Sequence, residues 1–224
     1  MKIKSITLVI ILLLLTIAIP ATGTLKQETL TKPHYQQITY LKTTIQQTNI
    51  LFSQSPRDPE DNDKNSYTSD SGTYNFKIYE NFWNITNNIT KIYWYRFCMK
   101  WEGFGWTSYH PQGLKIDITF YEDNNSKPGI EHQSYINANY TYSGTGILYE
   151  WFGGDLHELL YFEFSPNPIV NIANGWLSIQ STYSPIGASF LWMNSAEGDK
   201  TAYQYQPPLI KLVDDLAFQL SDNE

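Results

Sequence analysis

Residues 91–101, KIYWYRFCMKW, give the strongest fold signal in the sequence. One parity of this run carries Ile92, Trp94 and Cys98, and the other carries Tyr93, Tyr95, Phe97 and Met99. Successive side chains of a strand point to opposite faces of a sheet, so both faces of this strand are apolar. A strand of that kind is buried on both faces. We therefore expect a central strand that a second sheet covers on one face and loops cover on the other.

Shorter strand patterns recur on both sides of this run. They fall at 50–52, 74–79, 114–120, 134–142, 146–152, 156–165, 175–181, 188–194 and 214–220. Gly, Pro, Asn and Asp separate them without an intervening amphipathic helix, and the polar residues 53–72 are expected to be loop. Many short strands at this spacing predict an all-β fold, an antiparallel β-sandwich that is jelly-roll-like. The last strand is expected to return and pair near the start of the domain.

The N-terminal segment has the layout of an export signal. Lys2 and Lys4 precede an apolar stretch at 6–19, and Pro20 with small residues follows at the expected cleavage position. We predict a signal peptide at 1–23, a spacer at 24–49 and a β-sandwich domain at 50–220. A retained anchor is the alternative, but a membrane span needs about 20 apolar residues. The chain is expected to be secreted or at the cell surface, with membrane contact only through an uncleaved signal segment.

Composition narrows the classes of partner. The formal net charge is −7 and Lys and Arg form no cluster, which excludes nucleic acid as a partner because phosphate neutralisation needs clustered cations. The high aromatic share, 16%, favours strands. Cys98 is the single cysteine, so it cannot form an internal disulfide, and in an apolar strand we expect it to be a buried hydrophobe.

Four further stretches of the sequence contain motifs that bear on the fold. They are LKIDITFYEDNNSKPG at 114–129, NGWLSIQST at 174–182, ASFLWMNSAEGDKTAYQ at 188–204 and DDLAFQL at 214–220. The features themselves are an acidic turn at Glu122–Gly129, Gly-Trp-x-Ser-Ile at Gly175–Ile179, Trp to Gly-Asp at Trp192–Asp199 and Asp-Leu-Ala-Phe at Asp215–Phe218.

These features resemble a group of exported bacterial and archaeal β-sandwich domains of uncharacterised function. The resemblance covers about residues 50–220 and implies the fold rather than an activity. Such relatives often have an acidic DDF segment before the long aromatic strand. This chain has Tyr79-Glu80-Asn81-Phe82 instead, so the resemblance does not predict an acidic site there.

An aromatic loop, KWEGFGWTSYHPQG at 100–113, follows the central strand. Its candidate ligand-binding residues are Trp101, Phe104, Trp106 and Tyr109. Exposed aromatic rings with polar tips stack against sugar rings or against a partner protein. The alternative, which we favour from the sequence, is that these rings fold down and cap one end of the core.

The acidic turn has two interpretations: it is a metal site, or it is a tight turn without a ligand. Glu122, Asp123 and Asn125 provide oxygen ligands of the kind that calcium prefers, but they lack the alternating spacing of a dedicated calcium loop. Asn and Asp are equally typical of tight turns, and we favour that interpretation. No cofactor is therefore expected, with calcium as the alternative. The second acidic stretch, 58–63, is expected to be a solvated linker.

Signals for catalysis are weak. Asp155 and His157 share one parity of a predicted strand, but no HExxH motif and no second nearby His accompany them. We expect His157 to be a hydrogen-bonded histidine at the rim of the domain. There is no GxSxG motif, and Cys98 lies in an apolar strand where a thiolate is disfavoured. We therefore predict that the chain is not an enzyme.

The expected function is that of an exported, non-catalytic extracellular or cell-surface module with a structural or adhesive role. Its expected partners are a glycan or an extracellular protein. A carbohydrate-binding module that uses the aromatic loop is the alternative, and a secreted hydrolase is a third. Four N-glycosylation sequons begin at Asn84, Asn88, Asn124 and Asn139, so a glycoprotein is expected where the exporting cell glycosylates.

Overall fold

The computed structural model describes residues 49–72, 75–109, 111–151, 154–183 and 188–222. The predicted signal peptide and nearly all of the predicted spacer lie outside these residues, and Asn49 of the spacer is the first residue of a strand. The described residues form strands, turns and loops, with no α-helix among them. Nor does this part of the chain contain a helix long and apolar enough to cross a membrane.

Fifteen strands are present in the described residues. In chain order they are β1 (Asn49–Gln54), β2 (Ser66–Thr68), β3 (Lys77–Phe82), β4 (Lys91–Trp101), β5 (Trp106–Ser108), β6 (Lys115–Asp123), β7 (Pro128–Tyr135), β8 (Thr141–Trp151), β9 (Asp155–Phe164), β10 (Gly175–Tyr183), β11 (Ala188–Ser195), β12 (Tyr203–Tyr205), β13 (Leu209–Lys211), β14 (Asp215–Leu216) and β15 (Phe218–Asp222). The bounds of β4 are those of the predicted central strand.

The strands form two antiparallel sheets. In the first sheet β4 is central: β15 and then β11 pair along one of its edges, and β9 and then β5 pair along the other. β1 lies beyond β15, and β8 lies beyond β9. β2 and β14 both pair with β11. In the second sheet the strand order is β13-β12-β3-β10-β6-β7.

The chain passes repeatedly from one sheet to the other. β3, β6, β7 and β10 lie in the second sheet, whereas β4, β8, β9, β11 and β15 lie in the first. The long strands therefore have the orders β1-β15-β4-β9 and β3-β10-β6-β7, which is the connectivity of a jelly roll. The predicted all-β sandwich is confirmed, and the last strand pairs with the first as expected.

The main core lies between the two sheets. Ile92 and Trp94 of β4 belong to one buried cluster with Leu177 and Ile179 of β10. The alternating residues predicted to face inward are buried in the same cluster; they are Leu114, Ile116, Ile118 and Phe120. Full burial of a large apolar side chain contributes about 1.5–3 kcal/mol to stability, so this cluster is the main stabilising feature of the fold.

A second buried cluster lies on the outer face of the first sheet. It contains Phe97, Met99, Tyr149, Leu159, Met193 and Ala217. The segment after β1 covers this face, because the Tyr149 hydroxyl donates to the Arg57 carbonyl at 2.5 Å and the Arg57 N–H donates to the Asn194 carbonyl at 3.1 Å. β4 is therefore covered on both faces, by a sheet on one side and by a loop on the other, as predicted.

Several predicted elements are wrong in their bounds, among them the strand at 214–220, which is divided into β14 and β15. The predicted strand 134–142 is broken, because β7 ends at Tyr135 and the chain turns at Asn137, whose φ is 52°, before β8 begins. The stretch predicted as loop at 53–72 contains the end of β1 and all of β2, which is ordered by pairing with β11. The strand predicted at 74–79 starts at Lys77. A local pattern of apolar residues does not show which distant strand a segment pairs with.

Replacing Leu177 with Ala tests the position of the main core. Leu177 is fully buried, so the free energy of unfolding should fall by about 2 to 5 kcal/mol. Leu156 is exposed, and the matched change Leu156→Ala should alter that free energy by no more than about 0.5 kcal/mol. Urea denaturation followed by tryptophan fluorescence measures both variants. Equal losses in the two would contradict the assigned core.

Candidate functional site

The aromatic loop is a hairpin formed by β4 and β5. Trp101 pairs with Trp106 across the two strands, and the Glu102 N–H donates to the Gly105 carbonyl at 3.0 Å. Gly103 has a φ of +86°, a backbone conformation that suits glycine and strains other residues. A four-residue tip therefore closes the hairpin directly beyond the end of the central strand.

The rings at this tip are exposed. Trp101 is 48% exposed and Phe104 is 104% exposed. The rings of Trp101 and Trp106 meet edge to face, with their centroids 5.6 Å apart. The expectation that these rings cap the core is wrong for Trp101 and Phe104. Trp101 has the outward parity of β4, so it cannot enter the space between the sheets, and Phe104 lies at the tip.

Tyr109 does not share this surface. Its ring packs against the main core, and its N–H donates to the Cys98 carbonyl at 3.0 Å. Its hydroxyl is buried without a hydrogen-bond partner, and burial raises the pKa of Tyr109 above its ordinary value. The structure therefore brings Trp101 and Trp106 together, leaves Phe104 exposed at the tip of the same hairpin and places Tyr109 on the core side of the sheet. The neighbouring His110 lies outside the described residues.

Trp151 of β8 packs against the same outer cluster as Trp106 of the hairpin, which the sequence did not indicate. Its ring meets Phe97 edge to face at 5.6 Å, and Trp106 packs against the same outer cluster. We define the aromatic surface as Trp101, Phe104, Trp106 and Trp151. Trp151 occupies one parity of a predicted strand, but only the pairing of β8 with β9 and of β9 with β4 brings it to Phe97 and the outer cluster.

His157 lies beside this surface and is buried. Ser108 Oγ is 2.9 Å from His157 Nδ1, and His157 is only 4% exposed. Burial lowers the pKa of His157, and the charge of Asp155 opposes that change. The expectation of a hydrogen-bonded histidine is confirmed. Its ring is too enclosed to meet a substrate directly.

The acidic turn is the two-residue loop of a β-hairpin formed by β6 and β7. Asn125 and Ser126 have φ of 55° and 61°, and the Asn124 N–H donates to the Lys127 carbonyl at 2.9 Å, which is the geometry of a type I′ turn. This turn needs positive φ at both central residues, which explains the asparagine at 125 and agrees with the favoured interpretation.

The carboxylates of this turn have protein partners. Asp123 accepts hydrogen bonds from Trp176 Nε1 at 2.9 Å and from the Ser126 N–H at 3.3 Å. Glu122 Oε1 lies 3.8 Å from His132 Nδ1. In the described part of the chain no three His, Cys, Asp or Glu side chains are placed to hold a metal ion together. Calcium binding by Glu122, Asp123 and Asn125 stays a prediction from the sequence.

The second acidic stretch is anchored to the fold. Arg57 forms ion pairs with Asp61 at 2.8 Å and with Asp214 at 3.2 Å. The pKa of Asp61 is lowered by a backbone hydrogen bond from Asp63 and by the hydrogen bond from Arg57. The stretch at 58–63 is mostly exposed to solvent, as expected, but it is not a free linker, because Arg57 anchors it to Asp214.

The two motifs Gly-Asp and Asp-Leu-Ala-Phe meet in space. The Asp215 carboxylate accepts the N–H groups of Lys200 at 2.7 Å and of Thr201 at 3.0 Å. A Cβ added at Gly198 would lie 2.4 Å from Asp215 Oδ2, and Gly198 has a φ of +103°. Glycine is therefore required at 198 both by its backbone conformation and by the approach of the Asp215 carboxylate.

Glu80 of β3 completes this buried group. Glu80 Oε2 accepts the Leu216 N–H at 2.9 Å, which joins the second sheet to the first. Burial raises the pKa of Glu80 well above its ordinary value, and the charge of Asp215 adds to the rise. Burial also raises the pKa of Asp215, although the N–H groups of Lys200 and Thr201 oppose it. The segment for which the resemblance predicted no acidic site thus contributes a buried acid that links the sheets.

Comparisons with known proteins identify no relative of this chain. No family model matches the chain, and neither a curated protein nor a solved structure matches it. The resemblance drawn from the sequence motifs therefore stays a prediction, and a function for the chain rests on its own residues.

Glu80 should make the stability depend on pH. In the unfolded chain Glu80 ionises near its ordinary pKa of 4.5, whereas in the folded chain it keeps its proton to a higher pH. The contribution of Glu80 to the free energy of unfolding should therefore be fully present below pH 4.5 and should be lost as the pH rises through the raised pKa of the folded chain. Glu80→Gln should remove part of this slope. Urea denaturation at several pH values compares the two chains, and an identical slope in both would contradict the assignment.

Substitutions along β4 and its hairpin separate packing from exposure. Phe97→Ala removes a buried ring and should lower the free energy of unfolding by about 3 to 5 kcal/mol. Phe104→Ala removes an exposed ring and should change it by about 0.5 kcal/mol or less. Thermal unfolding followed by circular dichroism measures both. A large loss at Phe104 would show that the tip is part of the core after all.

Proposed function

We propose that this chain is an exported, non-catalytic adhesive module that binds glycans through the aromatic surface. The observation that carries the proposal is the exposure of Trp101 and Phe104 at the end of the central strand. Apolar rings in water reduce solubility and contribute little to folding. Exposed apolar patches of this kind mark interaction sites on soluble proteins.

Sugar rings suit this surface because two of its aromatic rings are open to solvent. Trp101 and Phe104 offer ring faces to the C–H groups of a sugar. Lys100 and Glu102 form an ion pair at 3.5 Å on the same hairpin, and the exposed Thr107 lies opposite Lys100. Because neighbouring strand residues point to opposite faces, Lys100 and Thr107 lie on the other face of the hairpin from Trp101 and Trp106. A partner protein would use the rings alone and is the competing outcome of the test below.

The neighbourhood of the aromatic surface supports binding without catalysis. The Ser108–His157 hydrogen bond is the nearest arrangement that resembles a nucleophile and its base. His157 is enclosed, and Asp155 acts on it through charge, with no hydrogen bond between their side chains among the described contacts. An orienting third group is what a working nucleophile–base pair requires.

Export is supported by the accessibility of the sequons. All four acceptor residues are exposed, and they lie at turns or in loops; they are Asn84, Asn88, Asn124 and Asn139. An acceptor asparagine must reach the modifying enzyme, which a buried side chain cannot do. This placement agrees with the export signal predicted at 1–23 and with a secreted or cell-surface location.

A glycan array tests the proposal. The fluorescently labelled domain should be retained by a subset of glycans, and Trp101→Ala and Phe104→Ala should each weaken retention by about 30-fold, the loss typical of a central aromatic contact. Tyr205→Ala is the matched control, because Tyr205 is an exposed ring of the second sheet, 41% exposed, and lies outside the aromatic surface.

Two results would contradict the proposal. One is a wild-type domain that no glycan retains. The other is retention that survives both hairpin substitutions, which would place binding elsewhere on the domain. Thermal unfolding of each variant serves as the folding control, so that loss of retention is read only from folded protein.

A further inference from the structure

A cleft of about 520 Å³ lies where the chain crosses from β7 of the second sheet to β8 of the first. Its lining comes from the β7–β8 connection with the strand residues that border it, and from the end of β9 with the loop that follows. Thr141 of β8 pairs with Glu163 of β9 within this lining. The Tyr135 hydroxyl donates to the Pro168 carbonyl, which joins the same two parts of the chain. Proteins bind small ligands in clefts of about 300–1,000 Å³, so this cleft has room for a ligand.

The lining of the cleft is neutral and contains polar groups without protein partners. Its carboxylate, that of Glu163, forms an ion pair with Lys91. The side-chain amides of Asn139 and Asn167 and the hydroxyl of Ser165 make no hydrogen bond within the described residues. Amides and hydroxyls both donate and accept hydrogen bonds. A neutral ligand that carries several hydroxyl groups therefore suits this lining better than a charged one.

One apolar side chain of the cleft is open to water. Ile136 lines the cleft and is 66% exposed, whereas Tyr135 and Phe164 of the same lining are buried. A ligand in the cleft would remove apolar surface of Ile136 from water, which is favourable in proportion to the area covered. A sugar ring meets both requirements, because its face carries C–H groups and its edge carries hydroxyls.

An N-glycosylation sequon lies in the same lining. Asn139 and Thr141 both line the cleft, and they are the first and third residues of the sequon Asn139-Tyr140-Thr141. Asn139 is exposed in the connection between β7 and β8, so a modifying enzyme can reach its amide. A glycan attached to Asn139 would therefore begin at the cleft.

We propose that Asn139 carries an N-linked glycan whose first sugar fills this cleft, packed on Ile136 and hydrogen-bonded to Ser165 and Asn167. In the modification, Asn139 Nδ2 forms a bond to C1 of the sugar and loses one proton. The bond from C1 to the diphosphate of a lipid-linked oligosaccharide donor breaks, and the lipid diphosphate leaves with the electron pair of that bond. The covalent link gives the sugar a high effective concentration at the cleft, so weak contacts are enough to hold it there.

The proposal depends on the export proposed above, but it does not depend on glycan binding by the aromatic surface. That surface shares no residue with the lining of the cleft. A glycan array with Asn139→Gln separates the two proposals, because this variant should be retained by the same glycans as the wild type.

The other sequons lack this combination of features. Asn84 and Asn124 line none of the three described clefts. Asn88 lines a second cleft, of about 440 Å³, but no large apolar side chain in the lining of that cleft is exposed. Asn124 lies in the turn between β6 and β7, so a glycan there should extend into solvent. Asn124 therefore provides a matched control.

Mass spectrometry of glycopeptides tests the modification. The chain is produced in human cells, which attach N-linked glycans, with a eukaryotic signal peptide in place of residues 1–23. Asn139 should carry a glycan in the secreted protein. An unmodified Asn139 in folded, secreted protein would overturn the proposal.

Thermal unfolding of the same protein tests whether the sugar fills the cleft. Asn139→Gln should lower the Tm by about 2 to 4 °C, a shift of the size expected for one lost apolar contact in a domain of this length. An endoglycosidase that leaves the first sugar in place should not lower it. Asn124→Gln should leave the Tm unchanged. In the Ile136→Ser background, Asn139→Gln should have little effect, because the contact between the sugar and Ile136 is already lost.

Three results of the unfolding test would contradict the site. The first is an equal Tm for the wild type and Asn139→Gln, and the second is an undiminished loss in the Ile136→Ser background. The third is the same loss in protein made in a bacterial host without N-glycosylation, which would show that the asparagine itself stabilises the fold. Ile136→Ser alters an exposed side chain, so this variant should fold.

Discussion

The fold depends on one strand that is apolar on both faces. The inward residues of β4 enter the core between the sheets, and its outward residues need a second cover, which the segment after β1 and the strand β8 provide. This cover extends along β4 as far as Met99, which is buried. Beyond it, Trp101 has the same parity and is half exposed. The aromatic surface is therefore the uncovered continuation of a packed face, which explains why rings typical of a core lie in water.

The buried ionisable groups of the sandwich differ in whether they can become neutral. Glu80 and Asp215 have raised pKa values, so Glu80 lowers its charge by keeping its proton. It can then join the sheets through the Leu216 N–H at little electrostatic cost. Arg96 cannot become neutral, because its guanidinium group stays charged. Two phenylalanine rings and a thiol surround it.

The sequence predicted those features that depend on local alternation. β4 and the inward residues Leu114 to Phe120 follow from a period of two, and the chain ends in a strand that pairs with β1. Exposure could not be predicted in this way, because Phe97 and Trp101 have the same parity and similar character. What separates them is contact with Tyr149 and with the segment at Arg57, which are distant in sequence. The burial of Glu80 likewise depends on β14, far along the chain.

The central claim is that the tryptophans of the aromatic surface bind glycans whereas the buried tryptophans pack in the core. NMR of the indole N–H groups in the isotope-labelled domain tests this claim most directly. The chain has seven tryptophans, of which Trp94, Trp176 and Trp192 are fully buried. During titration with hexose oligosaccharides chosen from the array, the resonances of Trp101 and Trp106 should shift and those of the three buried indoles should not. Shifts confined to the buried indoles, or no shift at saturating oligosaccharide, would contradict the account.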